Sequence, residues 1–83
     1  MEISYFARIR EDIGHGSEII SLPENISDVN GLIKYLCEQG KNYETAFKNE
    51  AALRVAVNQT YVDFDHPVKD SDDIAFFPPM TGG

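Results

Sequence analysis

The longest run of helical periodicity in the chain, Val29 to Cys37, has segments of period two on both sides, and this arrangement leaves few folds open. Val29, Leu32, Ile33, Leu36 and Cys37 fall at i, i+3, i+4, i+7 and i+8, which makes one apolar stripe along a single helix. Pro23 ends the segment before it, Ser27 is placed as the N-cap, and Asp28 follows in the first turn, where negative charge suits the helix dipole. Gly40 is placed to stop the helix in a left-handed conformation. Gly31, inside the helix, costs about 1 kcal/mol relative to Ala. Such a stripe must be buried against another layer, and the flanking segments supply it.

Ile3, Tyr5, Ala7 and Ile9 alternate with Ser4, Phe6 and Arg8, which predicts a strand from Ile3 to Ile9. Gly14-His15-Gly16 is a turn signal, and Ser17 to Leu22 reads as the returning arm of a hairpin. Tyr43 to Phe47 suits a short helical turn. Leu53, Val55 and Val57 share one face of a further strand, Asn58-Gln59 marks a tight turn, and a short strand is expected around Tyr61 to Phe64. After a turn at Asp70-Ser71-Asp72, Asp73 to Phe77 forms the last strand. Pro78-Pro79 ends the sheet, because proline has no N–H to donate. The predicted order is β-β-α-(short helix)-β-β-β. With the first and last strands side by side this is an α+β fold, a β-grasp (ubiquitin-like) roll with a mixed sheet of about five strands and one main helix across it. Residues 1–77 form the domain and 78–83 a flexible, extended tail.

At 83 residues there is room for one compact domain. Hydrophobic residues make up 42% and charged residues 25%, a composition too apolar for a disordered chain. Seven Lys plus Arg against fourteen Asp plus Glu leave a net charge of −7. An acidic surface repels phosphate backbones and anionic lipid, which argues against nucleic-acid and membrane roles and favours a protein partner with a basic groove. The single cysteine, Cys37, permits no intrachain disulfide. Met1 to Tyr5 lacks a basic stretch followed by an apolar one, so no secretory leader is expected. No run approaches the ~18 apolar residues of a membrane span. A cytoplasmic protein is the expectation.

The sequence closes on Phe77-Pro78-Pro79-Met80-Thr81-Gly82-Gly83. Two prolines favour an extended, semi-rigid path, and two glycines can enter a channel too narrow for any side chain. The tail reads as a stalk with a slim tip carrying one reactive group, the carboxylate of Gly83; the alternative is a frayed terminus. A carboxylate with a pKa near ~3.5 is ionised and a poor electrophile. Activated as an acyl adenylate, it can be attacked by a sulfur nucleophile that displaces AMP and leaves a thiocarboxylate. No side-chain catalyst on the carrier is needed for that chemistry.

Three stretches carry a family likeness: Ala56-Val57-Asn58-Gln59-Thr60, Phe64-Asp65-His66-Pro67 and Ala75-Phe76-Phe77-Pro78-Pro79-Met80-Thr81-Gly82-Gly83. Together with Tyr5-Phe6-Ala7-Arg8-Ile9-Arg10-Glu11, they closely resemble the small, sulfur-carrier subunit of molybdopterin synthase, over the full length of the chain. Met80 stands where a smaller aliphatic residue is common in that family. The resemblance implies a β-grasp fold and a role in molybdenum cofactor biosynthesis. It implies that Gly83 is adenylated by a ubiquitin-activator-like enzyme at the expense of ATP, passing through a transient AMP adduct, and that a sulfurtransferase bearing a persulfide supplies the sulfur. The tail (Pro78, Pro79, Met80, Thr81, Gly82) then enters the large synthase subunit, where Gly83 donates sulfur to cyclic pyranopterin monophosphate. A heterotetramer of two small and two large subunits is implied, with the catalytic residues on the large subunit and no cofactor bound to the carrier, which is a co-substrate and not itself an enzyme. Related β-grasp carriers for thiamin or tRNA thiolation, ubiquitin-like modifiers, and an interaction module with a chemically inert tail remain as alternatives.

Docking requires more surface than a tail of a few residues offers. Alternation places Phe6, Tyr61 and Phe77 opposite the core side, as an exposed patch beside the tail, with Arg8 and Arg10 adding polar contacts at its rim. Other constellations are weaker. Cys37 lies on the apolar stripe, where a free thiol acts as a small hydrophobe. His15 and His66 lack a second ligand at metal-binding spacing. Asp70-Ser71-Asp72-Asp73 lacks the Gly and terminal Glu of a calcium loop and suits a solvated turn.

Overall fold

A computed structural model describes residues 1–79. Its elements run β1 (Glu2–Tyr5), α1 (Ala7–Ile13), β2 (Ser17–Ile19), α2 (Val29–Cys37), α3 (Lys41–Phe47), a 3-10 turn (Glu50–Ala52), β3 (Arg54–Val57), β4 (Thr60–Val62) and β5 (Asp73–Phe77). The strands form one sheet in the order β2-β1-β5-β3-β4. β1 and β5 lie parallel at its centre, and the other pairings are antiparallel. This is the β-grasp roll that the order of elements implied.

Residues paired directly across strands share a face of the sheet. Ile3 and Tyr5 therefore align with Ile74 and Phe76, and these with Val57 and Val55, on one face. All six are buried, and the core closes over them with Ile9 and Ile13 of α1, Val29, Leu32 and Leu36 of α2, and Tyr43, Ala46 and Phe47 of α3. Phe76 is the hub: its ring stacks on Tyr5 at 6.2 Å and meets Phe47 edge-on at 4.9 Å.

Five details depart from the sequence reading. The first strand ends at Tyr5, and Ala7 begins a helix where alternation predicted strand to Ile9. Ile9 lies four residues after Tyr5, a spacing that suits a helix as well as a strand. Ile13, four further on, is also buried while Glu11 between the two isoleucines is exposed, as a helix places them, and an Arg8–Asp12 ion pair at 3.0 Å spans one turn of it. Gly14 is therefore the helix C-cap at φ 100, its N–H donating to the Arg10 carbonyl, and not part of a hairpin turn. Asp28, not Ser27, caps α2: its Oδ1 accepts from the Gly31 N–H at 2.8 Å. Gly40 is extended at φ 169 and precedes α3, so it is no left-handed stop; α2 ends at Cys37, with Glu38 as its C-cap. The strand expected around Tyr61 to Phe64 runs from Thr60 to Val62.

Among the described residues no helix is long and apolar enough to cross a membrane.

Candidate functional site

The helices cover one face of the sheet and leave the other open. On the open face, Ser4, Ala75, Ala56 and Tyr61 lie in one row across β1, β5, β3 and β4, and Arg54 pairs with Phe77 in the next. The small side chains at the centre leave the aromatic rings standing above the sheet. Tyr61 is 76% exposed and Phe6 50%, while Phe77 is half-buried, its ring 5.2 Å from that of Tyr61. The Phe6 N–H donates to the Phe76 carbonyl at 3.1 Å, which brings Phe6 to the end of β5.

Tyr61 owes its position to the turn before it. Asn58 and Gln59 both have positive φ (51° and 69°), as a two-residue hairpin turn of type I′ requires, and asparagine tolerates that region better than most residues. The turn sets Val57 opposite Thr60 and so turns Tyr61 to the open face. Asn58 also holds the hairpin to β5: its Oδ1 accepts from the Asp73 N–H at 3.0 Å and its Nδ2 donates to Asp72 Oδ1 at 2.9 Å. Burial would raise the Asp72 pKa, but hydrogen bonds from Asn58 and the Lys69 N–H outweigh it and hold the carboxyl below its ordinary value.

Where β5 ends, Pro78 and Pro79 continue outside any strand, both half-buried. Arg54, Val55, Tyr61, Val62, Phe77 and Pro79 line a cleft of about 290 Å³. Met80, Thr81, Gly82 and Gly83 lie outside the described residues.

Phe6, Tyr61, Phe77 and the proline pair thus gather around the end of β5. The two arginines expected at the rim sit on α1. Arg8 Nη1 bonds Asp12 and its Nη2 donates to the Ala52 carbonyl at 3.2 Å. Arg10 packs over Gly16 and lines a separate hollow with Ala7, Glu11 and His15. Sequence reasoning missed Arg54, although its place between the inward residues Leu53 and Val55 was signal enough to put it on the open face.

The remaining candidates serve the scaffold. Cys37 is half-buried against the core, and burial, then the Glu44 carboxylate, push its thiol pKa up, away from the reactive thiolate. Glu18 faces the helix side of the sheet because it pairs with Ile3. Its Oε2 accepts from Tyr5 Oη at 2.7 Å and Tyr43 Oη at 2.6 Å, and lies 3.2 Å from His15 Nε2. Burial alone would raise the Glu18 pKa, but the hydrogen bonds from Tyr43, Tyr5 and His15 hold it below its ordinary value. Burial, then the bond to Glu18, pushes Tyr43 up to about 12, and Tyr5 is raised further for the same reasons. Among the described residues no group of three His, Cys, Asp or Glu side chains is placed to hold a metal ion.

Residues 3–83 match the model of the ThiS family. The chain belongs to that family. It is 36% identical to the molybdopterin synthase sulfur carrier subunit of Escherichia coli (strain K12) over 83 residues, which covers 100% of this chain and 99% of the relative. Among solved structures, molybdopterin converting factor subunit 1 of Pyrococcus furiosus superposes with a TM-score of 0.74 at 36% identity, over 95% of each chain. A chain from the complex of subunits 1 and 2 of the converting factor of Helicobacter pylori shares the fold, with a TM-score of 0.66 at 23% identity over 99% of this chain and 96% of that one. The ThiS-family match runs through the closing Gly82-Gly83, and the open aromatic face lies at the root of that tail.

Proposed function

We propose that this ThiS-family chain is the sulfur-carrier subunit of a molybdopterin synthase and works through the carboxylate of Gly83. The observation that carries this reading is the full-length match, at 36% identity, to a relative named as that subunit. An adenylating enzyme joins the Gly83 carboxylate to the α-phosphate of ATP and releases pyrophosphate. The terminal sulfur of a persulfide on a sulfurtransferase then attacks the acyl carbon and AMP leaves; a thiol cleaves the resulting acyl disulfide, forms a new disulfide with the sulfurtransferase sulfur, and leaves the thiocarboxylate. The loaded tail, Pro78 to Gly83, enters the large subunit and delivers its sulfur to cyclic pyranopterin monophosphate. A dithiolene holds two sulfurs, so two loaded carriers serve each product. The chain acts as a co-substrate: it holds and presents the thiocarboxylate, while the catalytic groups belong to its partners.

The partner-facing surface in this reading is the open side of the sheet, where Phe6, Tyr61 and Phe77 surround the tail's origin. Aromatic anchors of this kind dominate binding energy at protein interfaces. The likeness of fold to a chain of the Helicobacter pylori complex supports pairing with a second subunit.

Reconstitution tests the reading. Synthetic thiocarboxylated protein mixed with the large subunit and cyclic pyranopterin monophosphate should yield dithiolene and return the carrier as carboxylate, by intact mass. Deleting Gly83 should abolish product while the circular dichroism spectrum and unfolding midpoint stay unchanged. Product formation by the truncated chain would refute the mechanism.

A further inference from the structure

Two of the chain's seven Lys and Arg residues converge on one short segment beside the origin of the tail. Arg8, from α1, donates through Nη2 to the Ala52 carbonyl at 3.2 Å. Arg54, from β3, donates through Nη1 to the Leu53 carbonyl at 2.8 Å and reaches that of Ala51 at 3.5 Å. Three successive carbonyls at the end of the 3-10 turn thus hold two guanidinium groups near each other, in a chain whose net charge is −7. Asp12 offsets Arg8 through their ion pair. Asp63 lies near Arg54 across a neighbouring hollow, without an ion pair between them among the described residues. Arg54 is exposed and also borders the cleft bounded by Tyr61, Phe77 and Pro79. A cation therefore stands over an apolar hollow where β5 gives way to the tail.

We propose that Arg54, with Arg8 behind it, reads a carboxylate on the protein that receives the tail, and that an apolar side chain beside that carboxylate fills the cleft between Tyr61, Phe77 and Pro79. The proposal rests on the sulfur-carrier reading and adds to it a determinant of docking orientation. An acidic chain suits a basic partner, and a cationic spot inside the docking face inverts that match locally. Partners with both signs in the complementary arrangement dock in one orientation, since any other sets like charges against each other. A guanidinium suits the task because its planar fork can hold a carboxylate through two parallel N–H···O bonds. Orientation matters here because the tail leaves from one end of the face and has to meet a channel.

Stopped-flow association of the full chain with subunit 2 of the converting factor, across a salt series, tests this. Arg54→Glu should slow association about tenfold at ~20 mM salt, and the gap should close to under about twofold at ~1 M, where the Debye length is about 3 Å. Arg54→Lys keeps the charge and should lose less than Arg54→Glu. Lys34→Glu, on the exposed side of α2, makes the same change in net charge away from the docking face and should stay within about twofold of wild type. Should Arg54→Glu fail to fold, Arg54→Gln removes the charge without reversing it and should slow association about threefold at ~20 mM salt. Equal slowing by Lys34→Glu and the Arg54 variant, or none by either, overturns the inference and leaves the sulfur-carrier reading standing. No binding by the wild-type chain at any salt overturns both.

Discussion

The two faces of the sheet are drawn from the same strands in alternation, yet their side chains do different work. On the helix side Ile3, Tyr5, Val55, Val57, Ile74 and Phe76 are sealed under three helices. On the open side, small residues (Ser4, Ala56, Ala75) make a floor from which Tyr61 and Phe77 rise. Adjacent residues of β5, Phe76 and Phe77, thus belong to the core and to the open face respectively. Period-two geometry lets one short strand serve both needs, since a side chain on one face is free to change without disturbing packing on the other. The separation is strict enough to test by substitution.

The largest expected effect is on the covered side. Phe76→Ala removes the ring packed between Tyr5 and Phe47 and should cost about 3–5 kcal/mol of folding stability. That is much of what a domain of this size possesses, and urea denaturation would measure it. Tyr61→Ala should do the reverse: stability within about 0.5 kcal/mol of wild type, and affinity for the large subunit weaker by about 2 kcal/mol or more in calorimetric titration. If Tyr61→Ala unfolds the protein as readily as Phe76→Ala, the open face is core and the division fails.

A smaller effect sharpens the comparison at its seam. Glu18 stands on the covered side but at the rim, where Tyr5, Tyr43 and His15 share its Oε2. Its pKa is held below the unfolded value, so it contributes stability above about pH 4.3 and loses that contribution as the pH falls through its folded value. Tyr43 has the opposite sense: raised to about 12, its neutral phenol contributes fully below the ordinary phenol pKa of about 10. That contribution fades as the pH climbs from there through the folded value. Glu18→Gln should therefore flatten the acid limb of a plot of unfolding midpoint against pH. At neutral pH it should cost about 1–2 kcal/mol, limited by partial exposure to water. Docking should be untouched, because none of the four residues reaches the open face.

How much of this was legible beforehand varies with the physics of each element. β3 and β5 were readable because each alternates between turn signals, and the turn after β3 is signalled by Asn58, a residue that tolerates positive φ. Alternation likewise puts Phe6, Tyr61 and Phe77 on the side away from the core. The helix α1 was hidden because a spacing of four satisfies both periods, so Ile9 and Ile13 fit a strand as well as a helix, and only the charged Glu11 between them argues against the strand. The Glu18 cluster was invisible: its members are far apart in sequence, and only strand pairing and the packing of α3 unite them. Arg8 and Arg54 converge on one segment for a similar reason, through carbonyls that no residue pattern advertises.

The smallest expected effect concerns the helix that seals the covered face, and it separates two adjacent residues that both look like caps. An N-cap side chain accepts a hydrogen bond from one of the first, otherwise unpaired, N–H groups of a helix. Asp28 does so for Gly31 at 2.8 Å, while the exposed Ser27 contributes its main-chain carbonyl to the Val68 N–H at 3.0 Å. Asp28→Ala should cost about 1 kcal/mol of stability. Ser27→Ala keeps the carbonyl and should change stability by no more than about 0.3 kcal/mol. Thermal unfolding of the pair at pH 7 distinguishes them. Neither substitution should alter docking, because α2 lies wholly on the side of the sheet opposite Tyr61; a loss of affinity in Asp28→Ala at full occupancy of the folded state would mean that the two faces are coupled through the sheet.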